Sequence, residues 1–518
     1  MGSTTQVLIA MIIYMSAVIL IGVLCAKRAN KNSEEYFLGG RSLGPWVTAM
    51  SAEASDMSGW LLMGLPGVAY WCGVSDAAWT AIGLAVGTYL NWLIVSKRLR
   101  RYSEKAGESI TLPEFFSNRF HEKSKVIMSI AAVFILIFFT VYASSCFVTC
   151  GKLFSTLFDM PYIPMMILGA AFVLLYTILG GFLAESVSDF MQAIVMIIAL
   201  TLVVALGTAA AGGLNTVVEN AKSIPGFFEF FGIATPQTID GVQQSVNGVP
   251  QFGAASTYGF LSIASCLAWG LGYFGMPQVL LRFMAIRSEG ELTRSRRIAT
   301  VWVVISLSVA VFIGIVGRTL FPTAHNTASD AESIFITLST NLLPPILAGF
   351  VMAGILAATI SSSDSYLLIA ASALAKNLYH GIYRKKATDK QVMNVTRFTL
   401  LAISLVAILI ALDENSVIFT IVSFAWAGFG AVFGPLMLFS LFWKRINRAG
   451  AIAGMLSGGV MVFVWKLVIR PLGGAWNIYE LLPAFIVSCI FIVVVSLLTA
   501  PPSKEIQEEF DTVAKKIS

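Results

Sequence analysis

Apolar residues run through this chain in blocks of about twenty, divided by short polar or basic stretches, a pattern that predicts transmembrane helices. Thirteen blocks are legible, over residues 7–25, 44–70, 75–96, 126–150, 161–180, 187–212, 254–286, 298–320, 333–375, 398–412, 416–443, 449–470 and 478–499. A helix rises about 1.5 Å per residue, so a block of that length crosses a hydrocarbon core roughly 30 Å thick. The block 333–375 reads as one span with a long extension.

One block is interrupted. Residues 44–70 are apolar at both ends, yet Ser51-Ala-Glu-Ala-Ser-Asp-Met-Ser-Gly-Trp60 in the middle carries Glu53, Asp56 and three serines. A carboxylate at membrane depth costs about 2.5–3.5 kcal/mol on insertion scales, and such groups are rarely incidental. Backbone freed by a break finds no water in hydrocarbon, so protein, a cavity or a ligand must satisfy it. The stretch therefore reads as a small-ion and solute site inside a transporter.

Composition agrees: 57% of the 518 residues are hydrophobic and only 12% charged, where a soluble domain carries about 25% charge. This is an all-α polytopic membrane protein. The net charge of +6 is topological. Lys27, Arg28, Lys31 and Arg41 follow the first span, and Lys97 to Lys105 the third. Arg287 to Arg297 follow the seventh, Arg384 to Lys390 the ninth, and Lys444 to Arg448 the eleventh. Basic loops after odd-numbered spans belong in the cytoplasm, which puts the N-terminus outside and the C-terminal tail inside. No nucleic acid is implied. Residues 1–25 lack a basic leader and a small-residue cleavage signature, so the first span is read as retained. The six cysteines fall in or at the ends of spans with no metal or disulfide pattern, and the three histidines lie far apart in loops.

Loop 213–253, rich in Gly, Gln, Asn and Pro, separates two blocks of five spans, the second to sixth and the seventh to eleventh. Each block opens on an interrupted helix; in the second the interruption is Ala268-Trp-Gly-Leu-Gly-Tyr-Phe-Gly275, with three glycines in six residues. Blocks of odd span number have opposite orientation, and paired broken helices point to an inverted-repeat transporter with a midplane site. Glycines of this kind also serve close helix packing.

Several stretches resemble the solute:sodium symporter family, and its proline branch in particular. They are Leu38-Gly-Gly-Arg-Ser-Leu-Gly-Pro45, Ala54-Ser-Asp-Met-Ser-Gly-Trp-Leu-Leu-Met-Gly-Leu-Pro66, Gly270-Leu-Gly-Tyr-Phe-Gly275, Arg282-Phe-Met-Ala285, Leu112-Pro-Glu-Phe-Phe-Ser-Asn-Arg-Phe120 and Phe424-Ala-Trp-Ala-Gly-Phe-Gly430. The resemblance implies a LeuT-type 5+5 inverted repeat with flanking helices. Its parts would be a first helix and cytoplasmic loop (1–42), a first repeat (43–212), the outer loop (213–253), a second repeat (254–443) and two last spans with a cytoplasmic tail (444–518).

Na⁺ prefers oxygen ligands, which unwound carbonyls and hydroxyls supply without fixed charge. In the ninth span Ala358, Ser361, Ser362 and Ser365 recur at i, i+3, i+4 and i+7 and share a helical face. By resemblance, Ala358, Ser361 and Ser362 form the main sodium site with backbone oxygens of Ala54 and Met57. The same resemblance gives Asp56 a role in ion coupling and Asp189 a place on the ion path toward the cytoplasm. Asp364, beside the serine stripe, reads either as a second ion or proton locus or as a partner of a neighbouring hydroxyl. Glu53 departs from the small residue usual in the family. It reads as facing a watery vestibule or a basic partner, or else as altering cation stoichiometry or substrate charge preference. A zwitterionic amino acid suits N–H groups at a helix break and flanking aromatic faces. By resemblance Ser58, Gly59, Tyr142, Trp269, Tyr273 and Pro277 line the proline site.

The reading is a transporter and not an enzyme. It imports L-proline with Na⁺ across a bacterial plasma membrane, with sodium the only metal, no cofactor and no obligate protein partner evident. The same scaffold suits another small carboxylate, pantothenate or acetate, as the substrate. A membrane sensor is disfavoured by the 20 residues after Leu498, too few for a kinase domain.

Overall fold

The computed structural model describes residues 3–29 and 37–515; Lys31, placed in the first basic loop, lies outside them. The described residues are mostly helical. In order the helices are α1 (Ser3–Ala29), α2 (Pro45–Asp56), α3 (Trp60–Cys72), α4 (Val74–Lys105), α5 (Leu112–Arg119), α6 (Val126–Phe158), α7 (Tyr162–Ala210) and α8 (Leu214–Ser223). After the loop 213–253 come α9 (Phe260–Gly275), α10 (Pro277–Ala285), α11 (Leu292–Leu320), α12 (Ile334–Leu342), α13 (Pro345–Tyr383), α14 (Asp389–Ile410) and α15 (Ile418–Phe442). The last three are α16 (Arg448–Leu472), α17 (Leu481–Leu498) and α18 (Lys504–Lys515).

Among the described residues nine helices are long and apolar enough to cross a membrane, and ten if the bent pair α9–α10 counts as one span. Thr4–Leu20, Trp60–Cys72 and Tyr162–Ile178 are apolar but shorter than the thirteen-span pattern requires. The expected spans 161–180 and 187–212 are joined by helical backbone. The joining residues include no proline, and the Ser188 hydroxyl donates back to the Glu185 carbonyl at 3.0 Å.

Both breaks have local causes. Helix α2 ends because Met57 leaves helical space (φ −90°, ψ 81°), after its N–H has bonded the Glu53 carbonyl at 2.8 Å. Helix α3 opens on a π turn, Trp60–Gly64. Pro66 has no N–H to return to Leu62, and a widened turn accommodates the carbonyl it leaves. The first break is therefore narrower than Ser51–Trp60: only Met57 and Ser58 are non-helical. The second lies just beyond its expected place. Residues 269–275 are helical, and the chain extends at Met276 (φ −76°, ψ 109°), bending α9 against α10 by 42°. Pro277 forces this, because proline pushes the preceding residue out of the α region and suits the first helical position.

The glycines of α9 serve approach. A Cβ on Gly270 would stand 2.3 Å from the Gly83 carbonyl of α4, and one on Gly272 would stand 2.0 Å from the Trp426 indole nitrogen of α15. Overpacking of this kind costs about 1–3 kcal/mol, so Gly272→Leu is expected to cut the yield of monodisperse protein roughly tenfold. Wild-type yield on size exclusion would show that the approach is dispensable.

Helix α2 sits at the centre, against α7, α10, α11 and α13. The loop 213–253 is more ordered than its composition suggests, with α8 and three two-stranded antiparallel pairs. Two of these pairs close through Asp240-Gly241 and Asn247-Gly248, all four residues at positive φ, as tight hairpin turns require.

Candidate ion and solute site

Four oxygens gather where α2 ends against α13. The Ala54 carbonyl accepts from the hydroxyls of Ser361 (2.8 Å) and Ser362 (3.2 Å), and Ser361 also reaches the Ala358 carbonyl at 3.2 Å. All four residues are fully buried. The set is neutral and all oxygen, the donor chemistry a hard monovalent cation takes. Met57, the fifth expected ligand, stands at the break; its thioether faces α11, where Ser306 donates to it at 3.7 Å.

Asp56, the last residue of α2, joins the two breaks. Its carboxylate accepts from the Tyr273 hydroxyl at 2.8 Å and the Gln278 amide at 3.2 Å, one residue on each side of the second break. Its carbonyl accepts from the Trp60 indole at 3.1 Å and from the hydroxyls of Tyr142 and Tyr366 at 3.4 Å. The Tyr142 and Tyr366 rings stack at 4.1 Å. Trp269 stands beside Trp60 (6.5 Å) and lies between Phe419 (5.0 Å) and Tyr479 (5.1 Å). A Cβ on Gly59 would meet Thr149 of α6 at 2.4 Å, so only glycine fits there. Pro277 is buried at the first turn of α10. Tyr142, Trp269 and Tyr273 thus share one aromatic cluster with Trp60 and Tyr366 around Asp56, while Ser58 and Gly59 stand at the first break and Pro277 just past the second.

Asp189 belongs to a neighbouring group. It accepts from Ser51 at 2.8 Å and from Arg282 at 3.2 Å. Arg282 also pairs with Glu185, donates to Ser51 and Ser365 at 3.0 Å each, and bonds the Gln278 carbonyl at 3.1 Å. Ser365 in turn bonds Glu185 and the Ser361 carbonyl. A continuous polar chain therefore runs from the serine stripe through Glu185 and Arg282 to Gln278 and Asp56. Asp364, in the interior of α13, accepts from the neighbouring Ser365 N–H at 2.8 Å. Glu53 meets neither a vestibule nor a basic residue. It is fully buried, and Oε1 accepts from the Trp92 indole at 3.0 Å.

Sequence reasoning did not assign Gln278, Tyr366, Glu185 or Arg282 to the site. The signals were there: Gln278 and Arg282 are i, i+4 on one helix, as are Glu185 and Asp189 on another, and all four are buried.

Known proteins match this architecture. The model of the sodium:solute symporter family matches residues 36–458. Sodium/proline symporters of Staphylococcus aureus strains USA300 / TCH1516 and JH9 are each 40% identical over 515 residues, covering 98% of this chain and 96% of theirs. Among solved structures, a Na⁺-coupled sialic acid symporter in a substrate-bound outward-open state superposes with a TM-score of 0.75 at 18% identity, over 96% of this chain and 99% of that one. A nucleobase-cation-symport-1 family transporter, closed around bromovinylhydantoin, gives 0.51 at 12%, over 92% and 98%. At such identities these two speak to the fold alone, the LeuT-type inverted repeat with flanking helices. With a family model over most of its length and full-length relatives at 40% identity, this chain belongs to the sodium:solute symporter family.

Proposed function

We propose that this chain imports L-proline with Na⁺ across the bacterial plasma membrane by alternating access. Its N-terminus would lie outside and its tail in the cytoplasm, with 43–212 and 254–443 as the two inverted repeats. The single observation that carries the reading is the oxygen set of Ala54, Ala358, Ser361 and Ser362, which spans from the broken helix to α13. A cation there draws the two elements together and holds the break ready for substrate. Proline's carboxylate would meet the positive N-terminal end of α3 near Ser58 and Gly59. Its ring and secondary ammonium would meet the aromatic wall of Tyr142, Trp269 and Tyr273, with Pro277 behind. The Staphylococcus aureus relatives, sodium/proline symporters over their full length, support the choice of substrate. Asp56 transmits the state of the ion site to the second break through Tyr273 and Gln278. Asp189, with Arg282, is the next carboxylate on the path inward.

The test is the double variant Ser361→Ala/Ser362→Ala, with uptake followed against Na⁺ concentration. Removing two hydroxyl ligands is expected to raise the half-activating Na⁺ concentration by about 10²-fold, roughly 1.4 kcal/mol for each ligand. An unchanged activation curve would sink the assignment.

A further inference from the structure

Glu53 is unexplained by that cation site. Ala54 turns toward α13, whereas Glu53 and Asp56, three residues apart, share the face of α2 that looks to α4 and α10. Glu53 Oε1 accepts only the Trp92 indole, and Oε2 has no hydrogen-bond partner among the described residues. Its neighbour three residues on, along the same face of α2, is Asp56, a second carboxylate. No described cation serves it. The nearest buried guanidinium along α10, Arg282, is committed to Ser51, Glu185 and Asp189.

On α4 and α10, the two helices that reach this face through Trp92 and Gln278, further buried polar atoms lack a partner among the described residues. Asn91, next to Trp92 on a π turn of α4 (Asn91–Val95), is fully buried with neither its amide oxygen nor its nitrogen bonded. Gln278 donates its amide N–H to Asp56, which leaves its oxygen Oε1 unpartnered. Thr88, one turn before Asn91 and Trp92, is buried, and its hydroxyl has no partner among the described residues. Two carboxylates and two amide oxygens, buried and with no described cation beside them, are relieved either by a proton on a carboxyl or by a bound cation, and an all-oxygen set suits a hard alkali cation. π turns of this kind recur at functional sites.

We propose that Glu53 anchors a second site for a monovalent alkali cation, completed by Asn91, Gln278 and Asp56 and distinct from the Ala54–Ser361 site. The proposal rests on the reading of the chain as a cation-coupled transporter. It adds a second coupling ion, bound next to the residue that links the two breaks.

Equilibrium binding of ²²Na⁺ to the purified full-length chain, without proline, tests it. Wild type is expected to saturate at two ions per chain, Glu53→Gln at one, and Ser361→Ala/Ser362→Ala also at one. Asn91→Leu is expected to weaken one class of binding at least tenfold and leave the other unchanged. This second variant decides the matter should Glu53→Gln not fold. A wild-type isotherm that saturates at one ion overturns the second site by itself, as does full wild-type binding in both Glu53→Gln and Asn91→Leu. A serine variant that loses no ion would instead overturn the first site, so the two failures are distinguishable.

Discussion

Replacing Asp56 by alanine is expected to lower sodium-dependent uptake by at least about two orders of magnitude while leaving the chain folded. The carboxylate makes two hydrogen bonds to the far side of the second break, to Tyr273 at 2.8 Å and Gln278 at 3.2 Å. Hydrogen bonds to a charged group contribute about 1.5–3 kcal/mol each, and more of that is realised where water is excluded. Their loss uncouples the two broken helices, although the backbone carbonyl of residue 56 still meets Trp60, Tyr142 and Tyr366. The defect should therefore fall on transport more than on stability. Asp56→Asn keeps an acceptor for Tyr273 but no charge, and intermediate uptake is expected of it. Uptake against Na⁺ concentration, read beside a thermal melt, checks both variants. A wild-type activation curve in Asp56→Ala would contradict the coupling role.

The second large effect concerns stability. Arg282 is fully buried and paired with Glu185 and Asp189, themselves almost wholly buried. Removing one partner of a buried ion pair leaves uncompensated charge at a cost of about 3–5 kcal/mol, whereas replacing all the partners together by well-packed apolar residues is often close to neutral. Arg282→Met is expected to lose most of its folded protein in detergent. The triple variant Arg282→Met, Glu185→Met, Asp189→Leu should recover it. Thermal unfolding followed by fluorescence-detected size exclusion separates the two. If Arg282→Met melts with wild type, or the triple variant melts no higher than the single one, the network does not hold this region together.

Much of this was legible in the residue order. A polar break inside an apolar block marks the site because hydrocarbon offers its carboxylates and free backbone no other partner. The serine stripe of α13 was legible for the same reason, as hydroxyls on one helical face. Less legible were the exact break points, which depend on backbone details: Met57 leaves helical space three residues before the start of the π turn that answers Pro66, and Met276 extends because Pro277 follows. The charge network escaped because its members lie in four segments far apart in sequence, Ser51, Glu185–Asp189, Gln278–Arg282 and Ser365. Only the packing of α2, α7, α10 and α13 brings them within reach. Glu53 was visible as an anomaly, but its partner was not: an indole from α4 reads in sequence as an ordinary membrane tryptophan.

The most direct test of the whole account is uptake of labelled L-proline by the full chain in proteoliposomes, with and without an inward Na⁺ gradient. The prediction is concentrative uptake that collapses when Na⁺ is replaced by choline. Unlabelled proline should compete, and pantothenate or acetate should not. Proline uptake of equal rate and extent without Na⁺, or sodium-driven uptake of a competing carboxylate in its place, would contradict the account.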